Sequence, residues 1–216
     1  EISQDLGISV GKLREQLEVA RFMGLVSVRP RVGIEREPFS FYPSVINSAL
    51  FGIATGEATF EQLSQMRQAV ESSMWLEAVE LLAIEDKQQL KQLVEAAWMK
   101  LRGRPVRVPN REHSKFHLMI FSRLQNPFVK GLLEAYWQAY RVSELTRYQP
   151  YSYWTTVWSY HEKMVEALCR NQFDDGRELL VQHFKLLPNH PADFLEEVDP
   201  IEKPVLNVSA VESHTS

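Results

Sequence analysis

The chain has 216 residues, a formal net charge of −4, 44% hydrophobic and 11% aromatic content, and a single cysteine. That is enough apolar material for one large or two modest domains with a real core, and it excludes an intramolecular disulfide and a cysteine-based zinc finger. The acidic balance means that any nucleic-acid contact must be local and helped by a dimer. Apolar runs are short and broken by charge, so no signal peptide or membrane span is expected, and a cytoplasmic location follows.

Residues 1–36 open with E-I-S-Q-D-L-G-I-S-V-G-K-L-R-E-Q-L-E-V-A-R-F-M-G. This reads as a helix end, a turn at Gly7, and a second helix with Ser9 as N-cap. Leu13, Leu17, Ala20 and Met23 follow at helical spacing, and Gly24 is the stop. The next stretch, L-V-S-V-R-P-R-V-G-I-E-R, reads as two short strands around a Pro- and Gly-containing turn, a wing. Residues 37–43, E-P-F-S-F-Y-P, form a linker with prolines that stop the wing and restart the chain.

From residue 44 to 187 the pattern is helical throughout. A short apolar helix over 44–55 precedes a long amphipathic one over 60–83, with Leu63, Met66, Val70, Met74 and Leu81 at helical spacing. Another, 84–101, is started by Glu85 and Asp86. After a loop at 103–109 come the helix of His113 and His117 and then helices over 127–148, 153–171 and 174–187. Pro127 suits a first-turn position, Asp174 suits an N-cap, and Cys169 is read as a small core residue. The tail, 188–216, is rich in Pro, Glu, Ser and Val and is expected to be extended or disordered, with His190 and His214 facing solvent. The fold class is therefore mainly α: a partial winged helix-turn-helix followed by an all-α bundle of six or seven helices.

Four histidines stand out. In R-E-H-S-K-F-H, His113 and His117 are four apart, so a helix puts them on one face within reach of one ion. His161 and His183 each lie inside a separate apolar-periodic segment, so three helices can aim four imidazoles at one point. Spacing alone leaves the plainer reading open, in which each is a surface residue or a hydrogen-bonded core residue. Trp137, Tyr140, Tyr148, Tyr151, Tyr153, Trp154 and Trp158 make this half unusually aromatic; such a stripe is more often core or dimer surface than a ligand cage, so it implies only a roomy apolar wall.

Several motifs carry a resemblance: the His113 and His117 pair, the 22-residue step from His161 to His183, L-Q-N-P-F-V-K-G-L-L, N-Q-F-D-D-G-R-E-L-L and Q-M-R-Q-A-V-E. Together they resemble the all-helical FCD-type effector-binding domain of the FadR-like branch of GntR transcriptional regulators. That family has Asp-x-x-x-His where this chain has H-S-K-F-H, so His113 replaces an aspartate. The resemblance implies a metal site on His113, His117, His161 and His183. An all-nitrogen set suits a divalent transition metal, zinc or nickel foremost, and the replacement leaves open whether His113 ligates. It also implies a small organic-acid effector, with Arg67 pairing to its carboxylate. The alternative for Arg67 is a surface pair with Glu71 at i,i+4.

The N-terminal stretch L-G-I-S-V-G-K-L-R-E-Q-L resembles the winged-helix motif of the same family, with Val10, Gly11 and Lys12 in place of its Arg, Thr and Pro. This implies a double-stranded DNA operator as partner, contacted by Lys12 and Arg14 on the second helix and by Arg29 and Arg31 at the wing; the plainer reading of each is a solvated charge. A winged helix of this kind has one more helix before residue 1, so the sequence is expected to be truncated there. The resulting expectation is a homodimeric regulator, not an enzyme. Two alternatives stand beside it: a metal-dependent enzyme using the four-histidine site, with Glu112 and Glu162 as the nearest carboxylates, and a helical interaction module without DNA binding.

Overall fold

A computed structural model of the chain describes residues 2–143 and 149–186. The N-terminal part holds α1 (Ile2–Asp5) and α2 (Val10–Phe22), then an antiparallel hairpin of β1 (Val26–Arg29) and β2 (Gly33–Arg36). Ser9 caps α2 by accepting the Lys12 backbone N–H at 3.1 Å, and Gly24 leaves the helix with φ +69°. Arg31 takes the left-handed conformation, φ +67°, in the turn that sets Arg29 opposite Gly33. The expected helix, turn, helix and hairpin are all present.

The remaining helices are α3 (Tyr42–Thr55), α4 (Phe60–Glu80), α5 (Ile84–Arg102), α6 (Asn110–Ile120), α7 (Pro127–Val142), α8 (Tyr151–Cys169) and α9 (Phe173–Phe184). Their starts are chemically marked. Thr59 and Gln62 form a reciprocal capping box on α4, and the Asn126 side chain accepts two backbone N–H groups on α7 with Pro127 at the first helical position. At α5 the Asp86 carboxylate accepts the Ala83 N–H at 2.8 Å and is gripped by Arg123.

Six of these helices close a ring. Going round it, α4 packs on α7, α7 on α6, α6 on α5, α5 on α8, α8 on α9, and α9 back on α4, while α3 lies outside against α7. The main apolar core, with Trp75, Leu90, Leu101, Phe116, Trp154, Trp158, Leu168 and Leu180, is filled from α4, α5, α6, α8 and α9. A smaller one, with Ile46, Leu63, Tyr136 and Tyr140, joins α3 to α4 and α7. The Trp75 indole donates to the Phe173 carbonyl at 2.8 Å and so fastens α4 to the start of α9.

Sequence expectations and structure differ in four places. The buried face of α4 is Leu63, Ser64, Arg67, Glu71, Trp75, Ala78 and Val79, whereas Met66 and Leu81 are exposed. Hydrophobic periodicity follows the apolar residues and misses a stripe whose middle is a compensated ion pair. Cys169 is exposed, because it lies on the outward side of the last turn of α8, whose Ala167 and Leu168 face the core. Asp174 is a first-turn residue of α9, and Gln172 holds the cap position. Helix α3 starts at Tyr42, inside the stretch read as linker. Tyr148, the tail at 188–216, His190 and His214 lie outside the described residues.

Two predictions follow from these packing details. A Cβ on Gly131 of α7 would stand 2.6 Å from the Tyr42 backbone nitrogen and 2.9 Å from the Phe41 carbonyl carbon. Gly131→Ala should therefore prise α3 from α7 and cost about 1–3 kcal/mol in urea unfolding. Arg123 holds the Asp86 carboxyl below its ordinary range. The resulting stability is complete above the unfolded carboxylate value of about 3.9 and is lost as pH falls through the lower folded value. Wild type should exceed Asp86→Asn in melting temperature at neutral pH, with the gap closing on the acid side.

Candidate metal centre

The ring of helices turns four imidazoles inward. His113 and His117 come from successive turns of α6, His161 from the middle of α8 and His183 from the last turn of α9. All four side chains are at most 1% exposed. Nε2 of His117 lies 3.2 Å from Nε2 of His161, and Nε2 of His113 lies 3.4 Å from Nε2 of His183. One ligand atom from each residue falls within 4.8 Å of the other three. Burial holds each imidazole well below its ordinary pKa, and the nearby Arg67 charge, with neighbouring histidines in three of the four, adds to this. The rings are therefore neutral at pH 7 and offer lone pairs rather than protons.

Beside them lies a buried ion pair from α4. Arg67 donates from Nε to Glu71 Oε1 at 2.9 Å, from Nη2 to Glu71 Oε2 at 3.0 Å, and from Nη1 to the Tyr136 hydroxyl at 3.3 Å. Burial by itself would lower the guanidinium pKa; the Glu71 charge and its hydrogen bonds, with Tyr136 behind them, overcome this and raise it, so the group stays charged. Its carbon also sits 4.7 Å from the Phe184 ring centroid and 4.8 Å from that of Tyr136.

Glu71 has a second duty. Its Oε2 lies 3.2 Å from Nδ1 of His117. Arg67 Nη2 approaches the same Nδ1 at 3.2 Å and has a second hydrogen beside the one given to Glu71 Oε2, so this nitrogen faces both a donor and an acceptor. In the tautomer with hydrogen on Nδ1, His117 donates to Glu71 and keeps its Nε2 lone pair facing His161. A carboxylate behind a histidine is the usual way in which a ligating tautomer and ring orientation are fixed.

The remaining wall is aromatic. Around the His113 ring stand Trp137 at 4.8 Å, Tyr140 at 5.9 Å, and Trp154 and Trp158 at 6.2 Å each. Among the described residues, Nδ1 of His113, His161 and His183 and the indole nitrogens of Trp137, Trp154 and Trp158 have no hydrogen-bond partner. Neutral, buried imidazoles converging through Nε2 make a donor set that fits a borderline transition metal such as zinc or nickel.

All four histidines, His113 and His117 from their spacing and His161 and His183 from the family resemblance, thus meet at one point. Arg67 is brought to the same place and pairs with Glu71, as the i,i+4 spacing allowed, but deep inside rather than on the surface. What sequence reasoning missed is the role of Glu71 toward His117; the R-x-x-x-E spacing was its only trace. Glu112 is engaged by Lys100 at 2.8 Å, and Glu162 is on the exposed side of α8, so neither carboxylate serves the histidines. Lys12, Arg14, Arg29 and Arg31 are exposed, with Lys12 held at 3.1 Å by Glu15 and Arg29 at 3.9 Å from Glu35.

With two short N-terminal helices and a hairpin ahead of a helical ring, the chain falls in the class of transcriptional regulators rather than enzymes. The FCD domain family matches residues 62–186, more than half of the chain, and the chain belongs to that family. The resemblance to an FCD-type domain drawn from its motifs is borne out by that match. Among solved structures it is similar to E. coli McbR/YncC, at 19% identity over 85% of this chain and 80% of that one, with a TM-score of 0.44. It is also similar to a transcriptional regulator (GntR family member) from Pseudomonas syringae pv. tomato str. DC3000, at 15% identity over 85% and 70%, with a TM-score of 0.42. No curated protein matches. No helix among the described residues is long and apolar enough to cross a membrane.

The ion pair gives a direct prediction. Glu71→Gln leaves a buried guanidinium without its counter-charge and should cost about 3–5 kcal/mol in unfolding free energy. Replacing both partners, Arg67→Met with Glu71→Leu, should recover most of that loss. A Glu71→Gln protein that melts with wild type would contradict the assignment.

Proposed function

We propose that the chain is a DNA-binding transcriptional regulator of the cytoplasm, acting as a homodimer. Its helical domain holds a divalent transition metal on His113, His117, His161 and His183 and takes a small organic acid beside it. The observation that carries this reading is the meeting of four neutral imidazoles from three helices in the interior of the ring, with Glu71 behind one of them. Lysine and arginine side chains on α2 and the hairpin, Lys12, Arg14, Arg29 and Arg31, are free of burial and suit phosphate and groove contacts on an operator. Arg67 is the cation through which a carboxylate would be read, in exchange with Glu71.

In this reading zinc or nickel supplies a positive centre that ties α6, α8 and α9 together. The residues do the rest. Glu71 accepts from His117 in its ligating tautomer, Arg67 holds the Glu71 carboxylate in place through two hydrogen bonds, and the aromatic wall lines the rest of the pocket. A ligand that changes how these helices pack alters the spacing of the two readers in the dimer, and with it operator affinity.

Elemental analysis of the purified protein tests the metal. About one transition-metal ion per chain is expected, and its loss in a His117→Ala, His161→Ala double variant. A metal-free wild type, or a variant that keeps the ion, would refute the site. For DNA, gel shifts on genomic fragments at several salt concentrations should show salt-sensitive binding, and Lys12→Ala with Arg14→Ala should flatten the slope of log K against log salt by about one per lost phosphate contact.

A further inference from the structure

The junction of α5 and α6 concentrates charge that the histidine centre does not use. From Lys100 to Lys115 the chain has six lysines and arginines and one carboxylate, Glu112, in a protein of formal net charge −4. Lys100 takes both oxygens of Glu112 at 2.8 Å and so ties the end of α5 to the first turn of α6. The Arg107 backbone N–H donates to the Lys100 carbonyl at 3.0 Å, which folds the loop back over the last turn of α5. Arg102, Arg104, Arg107, Arg111 and Lys115 are left exposed on these adjoining segments, and none of the five has an ion-pair partner among the described residues. Val106 and Val108 stand between them, also exposed. Arg102 suits the negative end of α5, but Arg111 lies in the first turn of α6, where the helix dipole disfavours a cation.

The opposite charge lies further along the chain. Residues 187–202, L-P-N-H-P-A-D-F-L-E-E-V-D-P-I-E, hold five carboxylates and no lysine or arginine, with Phe194, Leu195, Val198 and Ile201 interleaved. They lie outside the described residues, but α9 fixes the point from which they leave. His183 in its last turn meets His113 of α6 at 3.4 Å through Nε2, so α9 ends two imidazole lengths from the start of α6. The seven residues from Leu186 to Asp193 span roughly 23–25 Å when extended, enough to carry the acidic stretch onto the loop. DNA is less well placed to supply the charge. The segment leading from the hairpin meets α7 at Gly131, whereas the basic surface adjoins the other half of α7, where Trp137 and Tyr140 flank His113.

We propose that the surface formed by the end of α5, the 103–109 loop and the first turns of α6 is the docking site of the chain's own acidic segment, residues 193–202. Five carboxylates meet five free cations, and apolar side chains are interleaved on both sides. The tether supplies an effective concentration on the order of millimolar, so a modest contact is enough to keep the segment seated. Docking needs neither metal nor DNA, and it masks cations that would otherwise hold any polyanion without regard to sequence.

Disulfide trapping in the full chain tests this. Cys169→Ser removes the free thiol, and Val108→Cys with Val198→Cys places one thiol on the loop and one in the acidic segment. At low salt a mild oxidant should close an intramolecular disulfide, seen as a faster band on a non-reducing gel. Each rate is normalised to the reaction of the same thiols with a small disulfide reagent, because neighbouring arginines change thiol reactivity. Neutralising the segment with Glu196→Gln, Glu197→Gln, Asp199→Asn and Glu202→Gln should slow closure about tenfold, and so should about 1 M salt, where the screening length is about 3 Å. Arg104→Gln, Arg107→Gln and Arg111→Gln should do the same from the other side. Equal closure rates in all these cases would mean undirected collision and overturn the proposal. A disulfide between two chains would give the surface to a neighbouring copy and overturn docking within the chain. Unchanged closure in the arginine variant together with weakened DNA binding would give the surface to DNA instead.

Discussion

A guanidinium stripped of water in the interior of a helical ring must be given a counter-charge, and the rest of this domain is arranged around that requirement. Arg67 and Glu71 sit one turn apart on α4, both essentially inaccessible, and each would be strongly unfavourable alone. Together they form a forked pair whose outer oxygen still has capacity to accept from His117. The pair thereby links α4 to α6, and Tyr136 extends the link to α7. One polar chain therefore joins three walls of the ring at the place where apolar packing would otherwise have been simplest.

That arrangement has an electrostatic consequence. Arg67 adds to burial in keeping the histidines neutral, while Glu71 compensates Arg67 so that the pocket carries no net charge of its own. Neutral nitrogen donors in a buried, aromatic cavity favour a borderline cation over a hard one. With an aspartate in place of His113 the pocket would hold an anionic oxygen and a different preference. The substitution of one residue would thus change the hardness of the donor set.

The ring geometry explains why distant parts of the chain can be coupled. His113 and His117 reach the centre from α6, His161 from α8 and His183 from α9, and each of these helices also contributes to the main core. Any change at the centre is felt by side chains in close contact rather than by a flexible loop. On the other side, Gly131 lets α7 approach the start of α3, which follows the hairpin in the chain. Helix α7 thus touches both the aromatic wall and the segment leading back to the N-terminal part.

The sequence by itself determined the helix order, most helix starts and the identity of the four histidines. These are local matters: Ser9, Thr59 and Asn126 cap because their side chains reach their own backbone, and His113 and His117 share a face because they are one turn apart. The family likeness over residues 62–186 was legible for the same reason, since its motifs are short and contiguous. Only the tertiary structure decided that Arg67 and Glu71 turn inward while Met66 and Leu81 stay out, because residue hydrophobicity carries no record of a charge that will find its partner inside. It alone decided that the four imidazoles are mutual neighbours, with Trp137, Trp154 and Trp158 closing over them. Distances between residues far apart in the chain are set by how six helices close into a ring, and that closure is a property of all their faces at once.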